Sequence, residues 1–316
     1  MPNEEELINA RKEKRTFLMQ NGDPYPARVK TSYPIDKIKS EFNIDNQSIY
    51  RINGRVTAKR KMGKIAFLDV RNESGKIQIQ LSKEKLNEQY EILSMIDLGD
   101  FVSASGNLFI TKTEEITIAV EEINIISKAL RPPPEKWHGV VDPEIRYRSR
   151  HLDLISNEHS RELAVAFSNT IFSLRNFFHK NGFIEMQTPV LQESAGGAAA
   201  KPFITHHNQL NQDLFLRISL ELHLKRLMIG GFEKVFEIGK VFRNEGISYR
   251  HNPEFTLLES YQAYADYKDV ANMVKELITF AAQEVAGSLT IMNEEHEINL
   301  SGNWQKLTYV EALEKF

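Results

Sequence analysis

The chain has 316 residues, 41% hydrophobic and 26% charged, with a formal net charge of -3 and no cysteine. That length and balance fit a globular protein of two domains. The lack of cysteine excludes disulfide scaffolds, thiolate zinc centres and cysteine nucleophiles, and it fits a reducing compartment. No apolar run reaches membrane-spanning length, the charged segment 1–20 is no signal peptide, and a faintly acidic chain must bind nucleic acid through local basic patches.

Residues 3–21 read as a helix: Asn3 is placed to cap it, acids fill the first turn, and Asn21-Gly22 ends it. Arg11, Lys12, Lys14 and Arg15 give a basic face, which charge alone reads as solvated surface. Pro24, Pro26 and Pro34 make 25–46 a loop followed by a short helix. Strand signals then cover 49–57, 66–71, 76–81, 101–109 and 115–126, each alternating or β-branched, with a turn at 72–75 and a short helix over 83–95. Five strands with a helix between the third and fourth is the order of an OB-fold, the small barrel that binds single strands. Lys59, Arg60, Lys61 and Lys64 cluster between the first two strands. Phe67 and Gln78 fall near the exposed face, where such barrels stack bases on aromatics and read their edges with amides and carboxylates. The alternation alone fits a core Phe67 equally well.

The run Arg131-Pro-Pro-Pro-Glu135 is neither helix interior nor central strand, so 131–150 reads as a hinge; Trp137, His138, Arg146, Arg148 and Arg150 follow. Neither His138 nor His151 has a second ligand at helical spacing, and no metal site is read there. Over 161–180, Phe167, Thr170, Ile171, Leu174, Phe177 and Phe178 recur at three and four, the pattern of an amphipathic helix, which Asn181-Gly182 stops. A short strand at 183–186 leads to Thr188-Pro189. The small residues of 195–200 suit either a flexible surface loop or a close approach of backbone to a ligand. His206 and His207 are adjacent on a strand and point to opposite faces, so they are not read as a metal pair. The segment 214–227 carries Arg217 and Glu221.

Segment 241–264 organises the rest. It reads as two strands joined by a polar loop over 246–253 that carries Arg250, His251 and Asn252. Alternation puts Arg243 and Glu245 on one face of the first strand, and Phe255, Leu257, Glu259 and Tyr261 on one face of the second. Pattern alone fits a half-buried hairpin with its charges in water, or the floor of a pocket for a ligand with a phosphate, an ammonium and a flat base. Beyond it, 267–286 reads as a helix capped by Asp266 and ended by Gly287, 289–300 as a short hairpin turning at Asn293-Glu294, and Thr308 with Glu311 as a capping box that starts another helix.

Phe-Arg-Asn-Glu-Gly at 242–246, Arg-His-Asn-Pro-Glu-Phe-Thr at 250–256 and the closing Glu259 resemble motif 2 of the class II aminoacyl-tRNA synthetases, in the form found in lysyl-tRNA synthetases. The helix, strand and proline of 161–189 are similar to motif 1, and 146–154 to the family's hinge. The resemblance implies an α+β chain: a lead-in at 1–46, an OB-fold anticodon-binding domain at 47–130, a hinge at 131–150, and an antiparallel-sheet catalytic domain from 151 to 316. It implies joining of L-lysine to tRNA(Lys) through lysyl-adenylate, in the cytoplasm, by a homodimer built through 161–189. By resemblance, Arg243 is catalytic and touches both substrates. Glu245, His251, Asn252 and Phe255 bind ATP, with Phe255 stacked on adenine. Gly197 and Glu221 face the α-amino end of lysine, and Glu259 and Tyr261 its ε-ammonium. Phe67, Gln78 and Glu115 read the anticodon, with Glu114 an alternative to Glu115. Two carboxylates for two ammonium groups argue against an aspartyl or asparaginyl enzyme, whose pocket needs a cation or an amide donor. Ahead of Glu221 this chain reads Ser219-Leu220, where bacterial members of the family more often have Ala-Pro.

The resemblance stops at Phe316. Motif 3 of the family, with its arginine for the ATP γ-phosphate and the glutamates that hold Mg2+, lies beyond, so no metal ligands are expected in 1–316 and the chain is read as catalytically incomplete. The rival from another class is a non-catalytic RNA-binding module that keeps the barrel. The elongation-factor-modifying paralogue lacks that barrel and fits less well.

Overall fold

Alternating apolar and polar residues close a five-stranded barrel. Its strands are β1 (Ile49–Met62), β2 (Ile65–Asn72), β3 (Gly75–Ser82), β4 (Phe101–Ile110) and β5 (Ile116–Ser127), in the order β1-β2-β3-β5-β4. The computed structural model describes residues 3–43, 48–134, 140–248, 251–293 and 295–315. Trp137, His138, Arg250 and Glu294, singled out from sequence, lie outside the described residues. The chain divides into two compact units, 1–160 and 161–316.

In the first unit, inward residues such as Ile52, Leu68, Ile79, Val102, Ile118 and Ile123 are buried and form one core. Strand β1 runs on to Met62, so Lys59, Arg60 and Lys61 stand on it rather than between strands. The helix expected over 83–95 is three pieces: α3 (Lys83–Leu86), a 3-10 turn (Asn87–Glu91) and α4 (Ile92–Met95). Asn87, at φ 47°, breaks it.

Helix α1 (Glu4–Asn21) opens with a capping box of Asn3 and Glu6. Its basic face is not simply solvated. Arg11 is buried and donates to the carbonyls of Ala129 and Arg131, and Lys14 pairs with Asp97 at 2.6 Å. Asp97 and Asp100 also receive the fully buried Lys128 ammonium, at 2.5 and 2.6 Å. Short helices α2 (Ile35–Ser40), α5 (Pro143–Arg148) and α6 (Arg150–Ser156) complete the unit. Arg146 and Arg150 both clasp buried Asp153, at 3.0 and 2.6 Å.

The second unit is built on a small sheet. Strand β6 (Ile184–Glu185) lies parallel to β10 (Lys234–Phe242), which pairs antiparallel with β11 (Glu254–Gln262). Helix α7 (Glu158–Lys180) packs Phe177 and Phe178 with Phe183, Phe236 and Leu277 of α9 (Tyr267–Ala286). Toward its start Leu163, Val165 and Phe167 are exposed. A second three-stranded sheet joins β7 (Leu191–Gln192), β8 (Ile204–His207) and β9 (Gln212–Leu216) in the order β7-β9-β8. Helix α8 (Glu221–Ile229) packs Leu224 onto the β10–β11 hairpin. A hairpin of β12 (Thr290–Asn293) and β13 (His296–Asn299) precedes α10 (Tyr309–Lys315), whose first turn is boxed by Thr308 and Glu311.

Candidate functional site

The register of β10 and β11 sets Val241 opposite Phe255, Glu237 opposite Glu259 and Val235 opposite Tyr261. Directly opposed residues share a face, and two like charges so placed repel. Each carboxylate therefore needs its own donors. Glu237 is buried and takes Arg217 Nη1 at 2.6 Å and both the hydroxyl and the amide of Thr188, at 2.6 and 3.1 Å. Arg217 also donates to the carbonyls of Thr188 and Lys240. Its guanidinium lies across Gly239, where a Cβ would stand 2.3 Å from Nη2.

Glu259 is held from the turn before α8. Ser219 Oγ donates to its Oε1 at 2.7 Å and the Leu220 amide to the same oxygen at 2.9 Å, while the Tyr261 hydroxyl donates to Oε2 at 3.0 Å. Burial, then the Glu259 charge, pushes the Tyr261 hydroxyl well above its ordinary pKa, so it stays a donor. The Glu221 amide donates to Ser219 Oγ at 3.1 Å, and the Glu221 carboxylate pairs with Lys225 at 2.7 Å. Gly197, at φ 85°, lies against this turn. A Cβ there would stand 2.8 Å from Ser219 Oγ and 2.9 Å from Glu221 Cβ. The backbone thus approaches Ser219 and Glu221 as only glycine allows.

Strand β10 ends at Phe242, so Arg243 and Glu245 belong to the connecting loop and not to a strand face. The Arg243 amide donates to the Pro253 carbonyl at 2.8 Å and closes the loop's base. Its guanidinium lies over the Phe255 ring, 5.1 Å from the centroid, and its Nε is 3.4 Å from the Ile218 carbonyl, next to Ser219. Arg243, Glu245, Gly246, His251, Asn252, Pro253 and Phe255 line a cavity of about 320 Å³. His251 Nδ1 and Ser248 Oγ stand 2.7 Å apart. The residues expected for ATP are therefore brought together around one hollow. Those expected for lysine gather around Ser219, joined to that hollow through Ile218 and Arg243.

On the barrel of the first unit, Phe67 is half-buried, between the core residues Ala66 and Leu68. Gln78, expected near the exposed face, is instead buried, because its amide is taken up inside the barrel wall: its Oε1 accepts from Thr117 Oγ1 at 3.1 Å and its Nε2 donates to Glu115 at 3.2 Å. Gln78 thus meets Glu115, the first of the two alternatives, while Glu114 sits in the turn ahead of it at φ 61°. Arg60 and Lys76 lie 3.1 and 3.7 Å from Asp69. Lys59 donates to the carbonyls of Leu93 and Ile96, and its burial lowers its pKa.

Sequence reasoning missed Ser219, Thr117 and the partnership of Arg217 with Glu237. Ser219 carried a signal, as a departure from the expected Ala. Among the described residues no group of three or more His, Asp or Glu side chains is arranged to hold a metal, and no helix is long and apolar enough to cross a membrane. His206 pairs with Asp213 at 2.7 Å.

A family profile for class II tRNA synthetases (D, K and N) matches residues 142–316, and one for an OB-fold nucleic acid binding domain matches 50–126. The chain is 46% identical over 321 residues to a lysine–tRNA ligase of Dehalococcoides mccartyi strain 195, covering 99% of this chain and 64% of that protein. It is 45% identical to one from Lysinibacillus sphaericus strain C3-41, over 96% and 63%, and 44% identical to one from Carboxydothermus hydrogenoformans, over 98% and 64%. The chain thus spans a little under two thirds of the length of these curated relatives.

Proposed function

The chain belongs to the class II tRNA synthetases of the D, K and N group, and from that premise we propose that it is part of a lysine–tRNA ligase. The ligase would activate L-lysine with ATP and pass it to tRNA(Lys). The observation that carries the reading is the pair of neighbouring subsites. One is a hollow with an arginine, an aromatic face and polar groups for a nucleotide. The other has two carboxylates, Glu221 and Glu259, beside one turn for the two ammonium groups of lysine.

In the first step a carboxylate oxygen of lysine attacks the α-phosphorus of ATP in line. The new bond joins carboxyl oxygen to phosphorus, and the bond to the bridging oxygen breaks to release pyrophosphate. No covalent nucleophile of the protein takes part; catalysis is positioning and charge stabilisation. Arg243 suits the developing charge because its planar fork binds phosphate and carboxylate oxygens in pairs. Phe255 offers a face for adenine, and Glu245, His251 and Asn252 offer polar contacts to the nucleotide. Glu259 and the Tyr261 hydroxyl receive the ε-ammonium, and Glu221 the α-ammonium once Lys225 gives way. Mg2+ would serve the phosphates. On the barrel, Phe67, Gln78 and Glu115 receive the anticodon. The exposed apolar residues Leu163, Val165 and Phe167 suit a homodimer built through 161–189, and the working compartment would be the cytoplasm.

ATP–pyrophosphate exchange in the full-length protein encoded by the gene tests this. Exchange should depend on lysine and ignore aspartate and asparagine, and Glu259→Gln should raise KM for lysine more than for ATP. Equal losses for both substrates would remove Glu259 from the lysine pocket. Binding of tRNA without any exchange would favour the RNA-binding module instead.

A further inference from the structure

A carboxylate has about four lone-pair directions, two on each oxygen. On Glu259, Oε1 already accepts two donors, the Ser219 hydroxyl at 2.7 Å and the Leu220 amide at 2.9 Å. Among the described residues, Oε2 is the oxygen that keeps a free direction, and it is the one that the Tyr261 hydroxyl touches at 3.0 Å. A tyrosine hydroxyl that donates to Glu259 still has lone pairs to offer a cation. The receptor for an incoming ammonium is thereby narrowed to two atoms, Glu259 Oε2 and Tyr261 Oη.

Ser219 does a second thing with the same oxygen. Its hydroxyl has one hydrogen, given to Glu259, and it accepts the Glu221 amide at 3.1 Å. Glu221 carries the other carboxylate of the pocket. One buried hydroxyl therefore ties the acid at one end of the site to the backbone that bears the acid at the other end. The Gly197 backbone lies so close to the same two residues that a Cβ there would stand 2.8 Å from Ser219 Oγ and 2.9 Å from Glu221 Cβ.

We propose that Ser219, with the Leu220 amide, is the positioning element of the lysine pocket. It fixes which oxygen of Glu259 is presented, and it fixes how far that oxygen stands from the backbone that bears Glu221, so that the pocket measures the length of the substrate's side chain. The inference rests on the lysine reading above. Ser219 touches no reacting atom and acts through Glu259. The Leu220 amide adds a bond to Glu259 that a proline at this position, having no amide hydrogen, could not make.

The test is Ser219→Ala in the full-length protein, by lysine-dependent ATP–pyrophosphate exchange. A lost hydrogen bond to a charged group predicts a rise of about ten- to a hundredfold in KM for lysine, with KM for ATP unchanged. Discrimination between lysine and ornithine, one methylene shorter, should fall. In a double-mutant cycle, Ser219→Ala should add little on top of Glu259→Gln, because both act on one receptor. A lysine KM that stays put, lysine and ATP values that rise together, unaltered discrimination, or strictly additive effects would each overturn the proposal. If the unmutated protein exchanges without lysine, or not at all, the lysine reading itself falls and takes this inference with it.

Discussion

Glu237→Gln isolates the buried pair under the site. Arg217 and Glu237 are each 4% exposed and their charged atoms are 2.6 Å apart. After the substitution the guanidinium keeps neutral acceptors on Thr188 and Lys240 but has lost its counter-charge. Removing one partner of a buried pair costs about 3–5 kcal/mol, since the remaining charge stays desolvated. Arg217→Met should cost a similar amount by stranding the Glu237 carboxylate on Thr188 alone. The double variant Arg217→Met/Glu237→Leu strands neither and should recover most of the loss. Calorimetry, with the transitions of the two units resolved, would read this as a lowered transition in each single variant and a near-native one in the double. Single variants within about 1 kcal/mol of the parent, or a double variant as unstable as the sum of the singles, would show that the pair is not desolvated as described.

Gly197→Ala combines a residue at φ 85° with a Cβ 2.8 Å from Ser219 Oγ; KM for lysine should rise at least roughly tenfold with KM for ATP unchanged, and steady-state exchange would check it. Thr117→Val frees the Gln78 amide to turn, and filter binding to tRNA should weaken about tenfold with little change in salt dependence; unchanged affinity would detach Gln78 from recognition. The first unit should lose stability in acid. Burial pushes Asp97 up, but hydrogen bonds from Lys128 and Lys14 hold it below its ordinary 3.8. Burial likewise raises Asp153, and hydrogen bonds from Ser160, Arg146 and Asn157 outweigh it. A carboxylate depressed on folding stabilises fully above its unfolded pKa, and that stability is lost as pH falls through the folded value. The unit's melting temperature should therefore hold down to about pH 4 and drop below it, and Asp97→Asn should lower it at neutral pH while flattening the acid slope.

The barrel was legible because one-sided burial imposes period two, and each strand shows it. Its helix over 83–95 was not legible as broken, because the first break depends on one residue of positive φ, Asn87. The cations of α1 read as solvent-facing, since composition does not reveal that carbonyls and Asp97 lie within reach of Arg11 and Lys14. At the site, the residues expected from sequence to bind ATP, Arg243 and Phe255 among them, line one hollow. What escaped were links made by backbone or by small hydroxyls: the Leu220 amide on Glu259, Thr117 on Gln78, and Thr188 on Glu237. Those depend on register, which no side-chain pattern states.

Arg243 carries the heaviest assignment, so its removal is the sharpest trial. In the full-length protein, Arg243→Ala should lower lysine-dependent ATP–pyrophosphate exchange by at least about a hundredfold, as the loss of an electrostatic stabiliser does. Exchange near that of the unmutated protein would contradict the account.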